Sequence, residues 1–361
     1  MAFHNLYPLL FEPNLHTVVW GGNRLRPYKG MEPSTEPIGE SWEVSTVSSS
    51  VSIVSNGAYA GHSLQHVIEE QGAALLGKAV YERYGNQMPL LVKFIDAADD
   101  LSIQVHPNDE LARKRHGKNG KTECWYIIDA KPGSYLYAGM KERITPYEYQ
   151  RRVADGTICE VLAKHKVKSG DVFYLPAGRI HAICGGILLA EVQQSSDVTY
   201  RIYDYNRPGL DGKPRELHTE LAVDAIDFSV DATPAYGRFQ EKEYRTIYNE
   251  ETDRANPCIE SPYFTVRLVD CVDSFHRNLI KYDSFIITMC IEGDCEIRIR
   301  QTADSLLLRQ GHTCLIPASI ADYDVVSCNP AKHTRLLDTY IDNKDRSLAS
   351  AVTRFLHISK K

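Results

Sequence analysis

The sequence has 361 residues, of which 43% are hydrophobic and 24% charged, and its formal net charge is -6. These proportions are close to globular averages and exclude an intrinsically disordered chain, while the length predicts two domains rather than one hydrophobic core. The acidic balance, with a pI near 6.1, argues against binding to nucleic acid or to an anionic membrane surface.

The N-terminal segment MAFHNLYPLLFEPN lacks the basic region and long apolar core of a signal peptide, and no stretch is apolar over a transmembrane length. We therefore expect a cytoplasmic protein. Nine cysteines occur, and no two are spaced as Cys-x-x-Cys. Because the number is odd and several cysteines lie in apolar runs, reduced and buried thiols are favoured over disulfides.

Short strands are predicted at the start of the chain. They are HTVVWGG, GESWEVST and VSIVS. A small helical insertion follows at about 63–86, where Ser63 has the character of an N-cap and apolar residues recur at helical spacing. Gly72 and Gly77 interrupt this helical pattern. The apolar run LLVKFIDA then predicts a continuous strand that contains a single charged lysine.

The next predicted strand, LSIQVHP, carries side chains that can bind a metal. Gln104 and His106 are two residues apart, so both point to one face of a strand, and Ser102 shares that face. Glu123 opens the following apolar run, ECWYIID, and adds a carboxylate oxygen. Imidazole nitrogen together with carboxylate oxygen is typical of sites for Zn²⁺ and other first-row divalent ions.

Two short helices are predicted in the middle of the chain. ELARKRHG is capped by Asn108 or Asp109, and TPYEYQRRVA begins with the cap Thr145 followed by Pro146. Strand-like runs and turns then alternate up to the segment ELHTELAVDAIDF, which is predicted to form a closing helix. Many short strands separated by turn signals are typical of a β-sandwich or β-barrel.

An internal repeat indicates how the chain is organised. The repeated units are GDVFYLPAGRIH and GHTCLIPASIAD. We therefore predict a mainly β protein with two related β-barrels, in domains 1–235 and 236–361. The first unit ends with His181 and the second with Asp322, so we expect only the first barrel to hold a metal.

The pattern G-D-V-x-x-L-P-x-G-x-x-H in the first unit is typical of the second motif of a cupin, a barrel of the jelly-roll type. Its glycines and proline form a turn that directs His181 into the mouth of the barrel. His181 joins Gln104, His106 and Glu123 as the fourth candidate metal ligand.

Four segments of the chain resemble the type I phosphomannose isomerases, in their compact bacterial form. In chain order they are LSIQVHPND, GKTECWYII, LPAGRIHAI and SSDVTYRIYDYNR. The resemblance covers most of residues 16–225 and is weaker in the C-terminal barrel. It implies a zinc-dependent enzyme that interconverts mannose 6-phosphate and fructose 6-phosphate. Its partner would be a phosphorylated hexose, and the protein would be a monomer or a homodimer.

The same resemblance assigns roles to individual residues. The ligands of one Zn²⁺ would be Gln104, His106, Glu123 and His181. The contacts of the substrate phosphate would be Ser102 and Arg207. The catalytic residues would be Arg201, Lys121 and Glu191. Lys121 and Glu191 are both candidates for moving the proton, and the sequence does not decide between them.

The chemistry of aldose–ketose isomerisation requires such residues. A proton moves between C1 and C2 through an enediol, so the site needs a Lewis acid, a base and a cation for the developing charge. Two other functions remain open: a cupin dioxygenase and a metal-holding, non-catalytic sugar-phosphate-binding cupin. The dioxygenases usually have histidine where Gln104 stands, and a non-catalytic protein would not need Lys121, Glu191 and Arg201 together.

Overall fold

The computed structural model describes residues 6–229, 256–329 and 333–343. The boundary predicted between residues 235 and 236 lies outside these ranges. Within them the protein is mainly β, as predicted, and its antiparallel strands form four sheets. In this part of the chain no helix is long and apolar enough to cross a membrane.

The first barrel consists of two facing sheets. The strands of its larger sheet are β2 (Leu15–Gly22), β3 (Ile38–Val44), β4 (Leu90–Ala97), β6 (Glu123–Ala130), β9 (Val172–Leu175) and β11 (Ile187–Gln194). The strands of its smaller sheet are β5 (Ile103–Val105), β7 (Tyr135–Met140), β8 (Leu162–Lys166), β10 (His181–Ile183) and β12 (Tyr200–Tyr203). Their spatial orders are β2-β3-β4-β11-β6-β9 and β12-β5-β10-β7-β8.

Strands β4 and β11 form the centre of the larger sheet. Every residue of both strands is buried, and β11 pairs with β4 on one side and β6 on the other. Strands covered on both faces read as continuous apolar runs, which is why LLVKFIDA and ILLAEVQQ lack regular alternation. The few charged residues in these runs therefore lie inside the protein.

The second barrel also has two sheets. Its larger sheet contains β13 (Asn256–Glu260), β14 (Thr265–Cys271), β16 (Ile286–Glu292), β19 (Thr313–Ile316) and β21 (Thr334–Tyr340), together with β1 (Leu9–Leu10) from the N-terminus. Its smaller sheet contains β15 (Ser274–Asn278), β17 (Cys295–Ile299), β18 (Ser305–Leu308) and β20 (Asp322–Ser327). The spatial orders are β1-β19-β16-β21-β14-β13 and β15-β20-β17-β18.

The connectivity of the two barrels is the same. The order β4-β11-β6-β9 in the first matches β14-β21-β16-β19 in the second, and β5-β10-β7-β8 matches β15-β20-β17-β18. Strands at matching places in the two barrels therefore also follow one another in the same order along the chain. The prediction of two related barrels, made from a short repeated turn, is confirmed by this shared topology.

The described helices are short and lie outside the sheets. They are α1 (Leu25–Tyr28), α2 (Leu64–Gln71), α3 (Ala73–Leu76), α4 (Lys78–Tyr84), α5 (Asp109–His116), α6 (Pro146–Ala154) and α7 (Thr219–Val223). Ser63, Asn108 and Thr145 cap α2, α5 and α6 through their side chains, as predicted. Gly72 and Gly77 divide the predicted insertion into three helices, because both adopt a positive φ.

Two local predictions were wrong. The segment VSIVS forms only isolated bridges, between Ile53 and Ser63 and between Val54 and Phe11, instead of a strand. The helix predicted over ELHTELAVDAIDF is limited to α7, because its N-cap residue His218 makes no capping hydrogen bond and the chain turns after Val223.

The two barrels are joined by contacts that cross between them. Strand β1 pairs Leu9 with Leu315 in the sheet of the second barrel. Lys29, next to α1, is buried and donates to the carbonyl of Gly311 at 2.6 Å and to the carboxylate of Glu43 at 2.7 Å. One continuous apolar core contains residues from both barrels.

The helical insertion also contacts the second barrel. The backbone N–H groups of Lys78 and Ala79 donate to the carboxylate of Asp283 at 3.0 and 2.9 Å, so a residue of the second barrel caps α4. At Gly77 a Cβ atom would lie 2.1 Å from the carbonyl oxygen of Asp283. Only glycine allows this approach of the two backbones.

Candidate metal centre and active site

Four predicted metal ligands converge inside the first barrel. Gln104 lies on β5 and His181 opens β10, where the two are register partners. His106 follows β5, and Glu123 opens β6 in the opposite sheet. The ligand atoms of His106, Glu123 and His181 lie within 4.8 Å of one another. Side chains from two facing sheets therefore meet at one point.

Short contacts connect these side chains. Nε2 of His181 lies 3.1 Å from Oε1 of Glu123, and Nε2 of His106 lies 3.4 Å from its Oε2. The amide of Gln104 reaches to 3.3 Å from Nε2 of His181. Each imidazole also places Nδ1 against a backbone carbonyl, at 3.0 Å for His106 and 2.9 Å for His181. These bonds orient both Nε2 atoms toward the centre of the cluster.

The protonation states suit a divalent cation. Burial, followed by the charge of Lys121, lowers the pKa of His106 to about 3, and burial also lowers the pKa of His181. Burial opposes ionisation of Glu123, but Lys121 and the two neighbouring histidines together outweigh it and hold the pKa of this carboxyl well below its ordinary value. Two neutral imidazoles and one carboxylate are the forms that bind metal.

The carboxylate of Glu123 supports the same interpretation. The residue is fully buried, and neither oxygen accepts a hydrogen bond of normal geometry, although Nζ of Lys121 lies 2.8 Å from Oε2. Buried carboxylate oxygens ordinarily have partners. With nitrogen donors beside them and the amide of Gln104 in reach, the residues fit a Zn²⁺ ion.

Lys121 lies at the edge of this cluster. Its ammonium is buried and lies 3.0 Å from Nε2 of His106 as well as near Glu123. Burial lowers its pKa, but the carboxylates of Glu123 and Glu191 outweigh burial and raise it. Lys121 is therefore a fixed positive charge beside the candidate metal.

Glu191 occupies the middle of β11, directly opposite Trp125 of β6. The Trp125 indole N–H donates to Oε2 at 2.9 Å, whereas Oε1 accepts no hydrogen bond and lies 3.7 Å from Nζ of Lys93. Burial, followed by the negative charge of Glu123, raises the pKa of Glu191. The result is a buried carboxyl group that holds its proton to a higher pH than usual.

Lys93 belongs to the site, and sequence reasoning missed this. Its Nζ lies 3.5 Å from Oε2 of Glu40 and 4.5 Å from the centroid of the Trp42 ring. Trp42 in turn donates its indole N–H to Glu40 at 2.6 Å. A single lysine within the apolar run LLVKFIDA was the available signal, because a charge there must find partners inside the barrel.

Arg201 and Ser102 flank Gln104. Arg201 lies on β12 as the register partner of Gln104, and its Nη1 donates to the carbonyl of Glu216 at 2.8 Å. Burial, followed by the charge of Arg215, lowers the pKa of Arg201. Ser102 precedes β5 and is buried. Arg201 is thus beside Gln104 in the sheet, and Ser102 lies two residues before it in the chain.

A cluster of arginines lies beyond Arg201 along the chain. Asp204 is buried and accepts hydrogen bonds from Arg207 at 2.9 Å and from Arg215 at 2.6 Å. Tyr205 and Asn206 adopt φ values of 56° and 54°, which turns the chain so that Arg207 returns to Asp204. The sequence analysis names Arg207 but not Arg215, whose contact with Asp204 depends on an irregular segment that has no periodicity.

The second barrel has other residues at the positions of the candidate metal ligands. In the first barrel Glu123 pairs with Leu175, which precedes the proline of the repeated unit. In the second barrel the corresponding Ile316 pairs with Ile286. Strand register therefore places an apolar side chain where the first barrel has its carboxylate.

The histidine and the glutamine are replaced as well. His181 pairs with Gln104 in the first barrel, and Asp322 pairs with Asn278 in the second. Neither replacement supplies an imidazole nitrogen.

A buried carboxylate persists at a third position. Asp338 corresponds to Glu191. Glu191 lies opposite Trp125, two residues after Glu123, and Asp338 lies opposite Thr288, two residues after Ile286. Thr288 donates to Asp338 at 2.8 Å, and Arg277 pairs with it at 2.7 Å. The second barrel thus contains an internal ion pair where the first contains Glu191 beside the candidate metal cluster.

Two family models match the chain. They are described as phosphomannose isomerase type I, catalytic domain, over residues 9–133, and mannose-6-phosphate isomerase, cupin domain, over residues 256–329. The mannose-6-phosphate isomerase of Streptococcus mutans is 34% identical over 322 residues, which is 88% of this chain and 94% of the relative. The chain belongs to the type I phosphomannose isomerase family. This confirms the cupin fold and the family that the four sequence segments resemble.

Other mannose 6-phosphate isomerases are also similar to this chain over most of its length. Mannose-6-phosphate isomerase ManA of Bacillus subtilis is 37% identical over 80% of this chain and 86% of its own length. The crystal structure of the mannose 6-phosphate isomerase from Bacillus subtilis matches with a TM-score of 0.77 and 32% identity, over 92% of this chain and 99% of that one. A zinc-bound mannose 6-phosphate isomerase matches in fold, with a TM-score of 0.69 and 19% identity over 93% of this chain and 99% of that one.

Proposed function

We propose that this chain is a mannose-6-phosphate isomerase, which interconverts mannose 6-phosphate and fructose 6-phosphate through an enediol. The observation that carries the proposal is the buried cluster of His106, Glu123 and His181, with a carboxyl group and a lysine beside it. This cluster occurs in a chain that aligns over 88% of its length with a protein named for that activity.

One divalent ion, zinc, would be held by Gln104, His106, Glu123 and His181. When bound, it supplies a Lewis acid that polarises the carbonyl and hydroxyl oxygens of the sugar. The facing sheets hold these ligands in fixed positions before binding, and the hydrogen bonds at Nδ1 fix the orientation of both histidines.

Glu191 is the residue that we assign to proton transfer between C1 and C2. Its Oε1 has no hydrogen-bond donor, and its raised pKa brings it toward the range in which a carboxyl group can both accept and release a proton. Lys121 remains an ammonium against Glu123, so it is suited to stabilise negative charge rather than to remove a proton.

Positive charge surrounds the place where the enediolate would form. Arg201 and Lys121 approach the cluster from β12 and from the turn before β6, and Lys93 lies against Glu191. Fixed charges in a buried site stabilise developing negative charge without reorganisation. Arg201 therefore acts mainly on the transition state.

The phosphate group of the substrate would be bound by Ser102 and Arg207, with Arg215 as a further contact. Asp204 accepts from Arg215 through both carboxylate oxygens and from Nε and Nη2 of Arg207 through Oδ1 alone, which leaves other N–H groups of both arginines for an anion. This arrangement suits a phosphorylated hexose more than a neutral sugar.

We infer that the catalytic, metal-binding unit spans residues 1–235 and that residues 236–361 form a structural barrel. The replacement of Glu123 by Ile286 and of His181 by Asp322 at matching positions supports this division. We expect a cytoplasmic monomer or homodimer.

A coupled assay of the purified protein tests the proposed function. Mannose 6-phosphate should be converted, mannose should not, and removal of metal with a chelator should abolish turnover until Zn²⁺ is added. Metal-loaded, folded protein that fails to convert mannose 6-phosphate would contradict the proposal.

A further inference from the structure

A cavity of about 260 Å³ lies apart from the residues assigned to the metal, the proton and the phosphate. It is formed where the helical insertion, the first barrel and the second barrel meet. Six of its lining residues are Arg83 and Tyr84 on α4, Asp109 and Arg113 on α5, Gln194 at the end of β11, and Tyr263 between β13 and β14.

The charges in this cavity favour an anion. Two arginines, Arg83 and Arg113, and a single carboxylate, that of Asp109, line it, so the lining carries an excess of one positive charge. Oδ1 of Asp109 accepts hydrogen bonds from the N–H of Gly120 at 2.9 Å and from Nε2 of Gln194 at 3.1 Å. Its Oδ2 lies 3.8 Å from Arg113, a long and exposed ion pair that contributes little.

The remaining walls suit a ring. Tyr84 and Tyr263 are half-buried, and the guanidinium of Arg83 lies 4.9 Å from the centroid of the Tyr84 ring. Both arginines and Asp109 lie near enough to the Tyr84 hydroxyl to influence its pKa, which burial raises. The volume is below the range of about 300 to 1,000 Å³ typical of sites for drug-sized ligands, so the occupant must be small.

We propose that this cavity binds a small phosphorylated metabolite, with its phosphate held by Arg83 and Arg113 and its ring against Tyr84 and Tyr263. Arginine forks match phosphate oxygens in bidentate geometry, and tyrosine rings provide flat surfaces with polar edges.

Hydrogen bonds lead from this cavity to the metal centre. Gln194, which donates to Asp109, accepts from the backbone N–H of Thr122 at 2.9 Å. Thr122 lies between Lys121 and Glu123. A ligand that displaces Asp109 or Gln194 therefore shifts the turn that carries a metal ligand and its neighbouring charge. This effect on catalysis rests on the proposed function, whereas ligand binding does not.

Calorimetric titration with phenyl phosphate tests the site. We compare the wild-type protein with the double variant Arg83→Gln/Arg113→Gln and with Arg207→Gln, which alters only the proposed substrate site. The double variant should bind phenyl phosphate at least tenfold more weakly, and Arg207→Gln should retain the wild-type affinity. Inorganic phosphate should bind more weakly than phenyl phosphate because it lacks the ring.

Equal affinity in the wild type and the double variant would overturn the proposal, as would a loss of binding confined to Arg207→Gln or no binding at all. Because both arginines are exposed, the double variant should keep the melting temperature and basal turnover of the wild type. Phenyl phosphate should then change turnover of mannose 6-phosphate in the wild type only. The difference in phenyl phosphate affinity between the wild type and the double variant does not depend on isomerase activity, so it should appear even if the chain is not an isomerase.

Discussion

Nζ of Lys93 lies 3.7 Å from Oε1 of Glu191, and strand register places the two buried residues directly opposite each other. Glu40 approaches the same ammonium at 3.5 Å from the other side. One lysine thus serves two carboxylates, and each also accepts an indole N–H, Glu191 from Trp125 and Glu40 from Trp42. Burial, followed by the charge of Glu123, raises the pKa of Glu191, whereas Lys93, the Trp42 hydrogen bond and Lys121 together outweigh burial and lower the pKa of Glu40. The opposite directions separate the carboxyl group assigned to proton transfer from one that positions Lys93.

Replacing Glu191 by Gln keeps the shape of the side chain and its acceptor for Trp125 but removes the proton-carrying group. We expect kcat to fall by about 10²- to 10⁴-fold, the usual contribution of a general acid–base, with the metal content unchanged. Steady-state kinetics and elemental analysis measure both. Glu40→Gln is the matched control and should lower kcat much less. Normal kcat in Glu191→Gln would reject the assignment.

Replacing His181 by Ala removes an imidazole from the candidate metal centre. Because the variant has only three of the four candidate ligands, the affinity for metal should fall sharply, and activity should fall with it. Elemental analysis after dialysis and the coupled assay should show parallel losses. His66→Ala alters an exposed histidine of α2 and should change neither quantity. A metal-free variant with full turnover would show that the metal is not required.

Arg201 and Arg207 should respond differently to substitution. Arg201→Ala should lower kcat by about 10²- to 10³-fold, since a charge that acts on the transition state affects kcat more than KM. Arg207→Ala should mainly raise KM for mannose 6-phosphate, because the phosphate carries the same charge before and during the reaction. The two assignments would be exchanged if Arg207→Ala lowered kcat and left KM unchanged.

The ion pair inside the second barrel should matter for stability and not for metal binding. Arg277 and Asp338 are 2% and 1% exposed, so Asp338→Ala leaves a buried charge without its partner. Loss of one member of such a pair costs about 3 to 5 kcal/mol of unfolding free energy. Urea unfolding should reveal this loss.

Asp322→Ala and His312→Ala, in the same barrel, should change the unfolding free energy little and leave one metal per chain. Elemental analysis that finds two metals per chain, one of them lost in Asp322→Ala, would show that the second barrel is also a metal site.

The pH dependence of stability should report on Asp204. Burial raises the pKa of this carboxyl, but the hydrogen bonds and charges of Arg215 and Arg207 outweigh burial and lower it. A carboxyl group with a lowered folded-state pKa stabilises the protein fully above its unfolded pKa of about 3.9 and loses this contribution as pH falls through the folded value. Asp204→Asn should thus be less stable than the wild type at pH 7 by about 1 to 3 kcal/mol.

The difference in unfolding free energy between the wild type and Asp204→Asn should become smaller below about pH 4, because protonation of Asp204 then begins to remove the same interaction from the wild type. Chemical unfolding at several pH values between 7 and 3 measures it. A difference that stays constant down to pH 3 would mean that the arginines do not act on the ionised carboxylate.

The sequence indicates Gln104, His106 and His181 as candidate metal ligands because their patterns are local. Gln104 and His106 share a face at a spacing of two, and the turn before His181 has a recognisable glycine and proline pattern. Glu40 and Lys93 meet only through the pairing of β3 with β4, and nothing local specifies the register of distant strands. The contact of Arg215 with Asp204 could not be predicted from the sequence either, because it depends on the path of an irregular loop.

The fold, like the site, could be predicted from the sequence only where a local pattern indicates it. The repeated turn at Pro176 and Pro317 was sufficient to predict two barrels, because the connectivity around it is repeated. The pairing of β1 with the second barrel was not predictable, since a two-residue strand carries no periodic signal.

That pairing has a consequence for the time course of folding in the cell. Leu9 is among the first residues to leave the ribosome, but its partner Leu315 is synthesised about three hundred residues later. At translation rates of 5 to 20 residues per second, β1 waits on the order of 15 to 60 s for the strand beside it. The apolar residues of β1 therefore lack their β19 partner through most of synthesis, and this edge of the second barrel can close only when the nascent chain is almost complete.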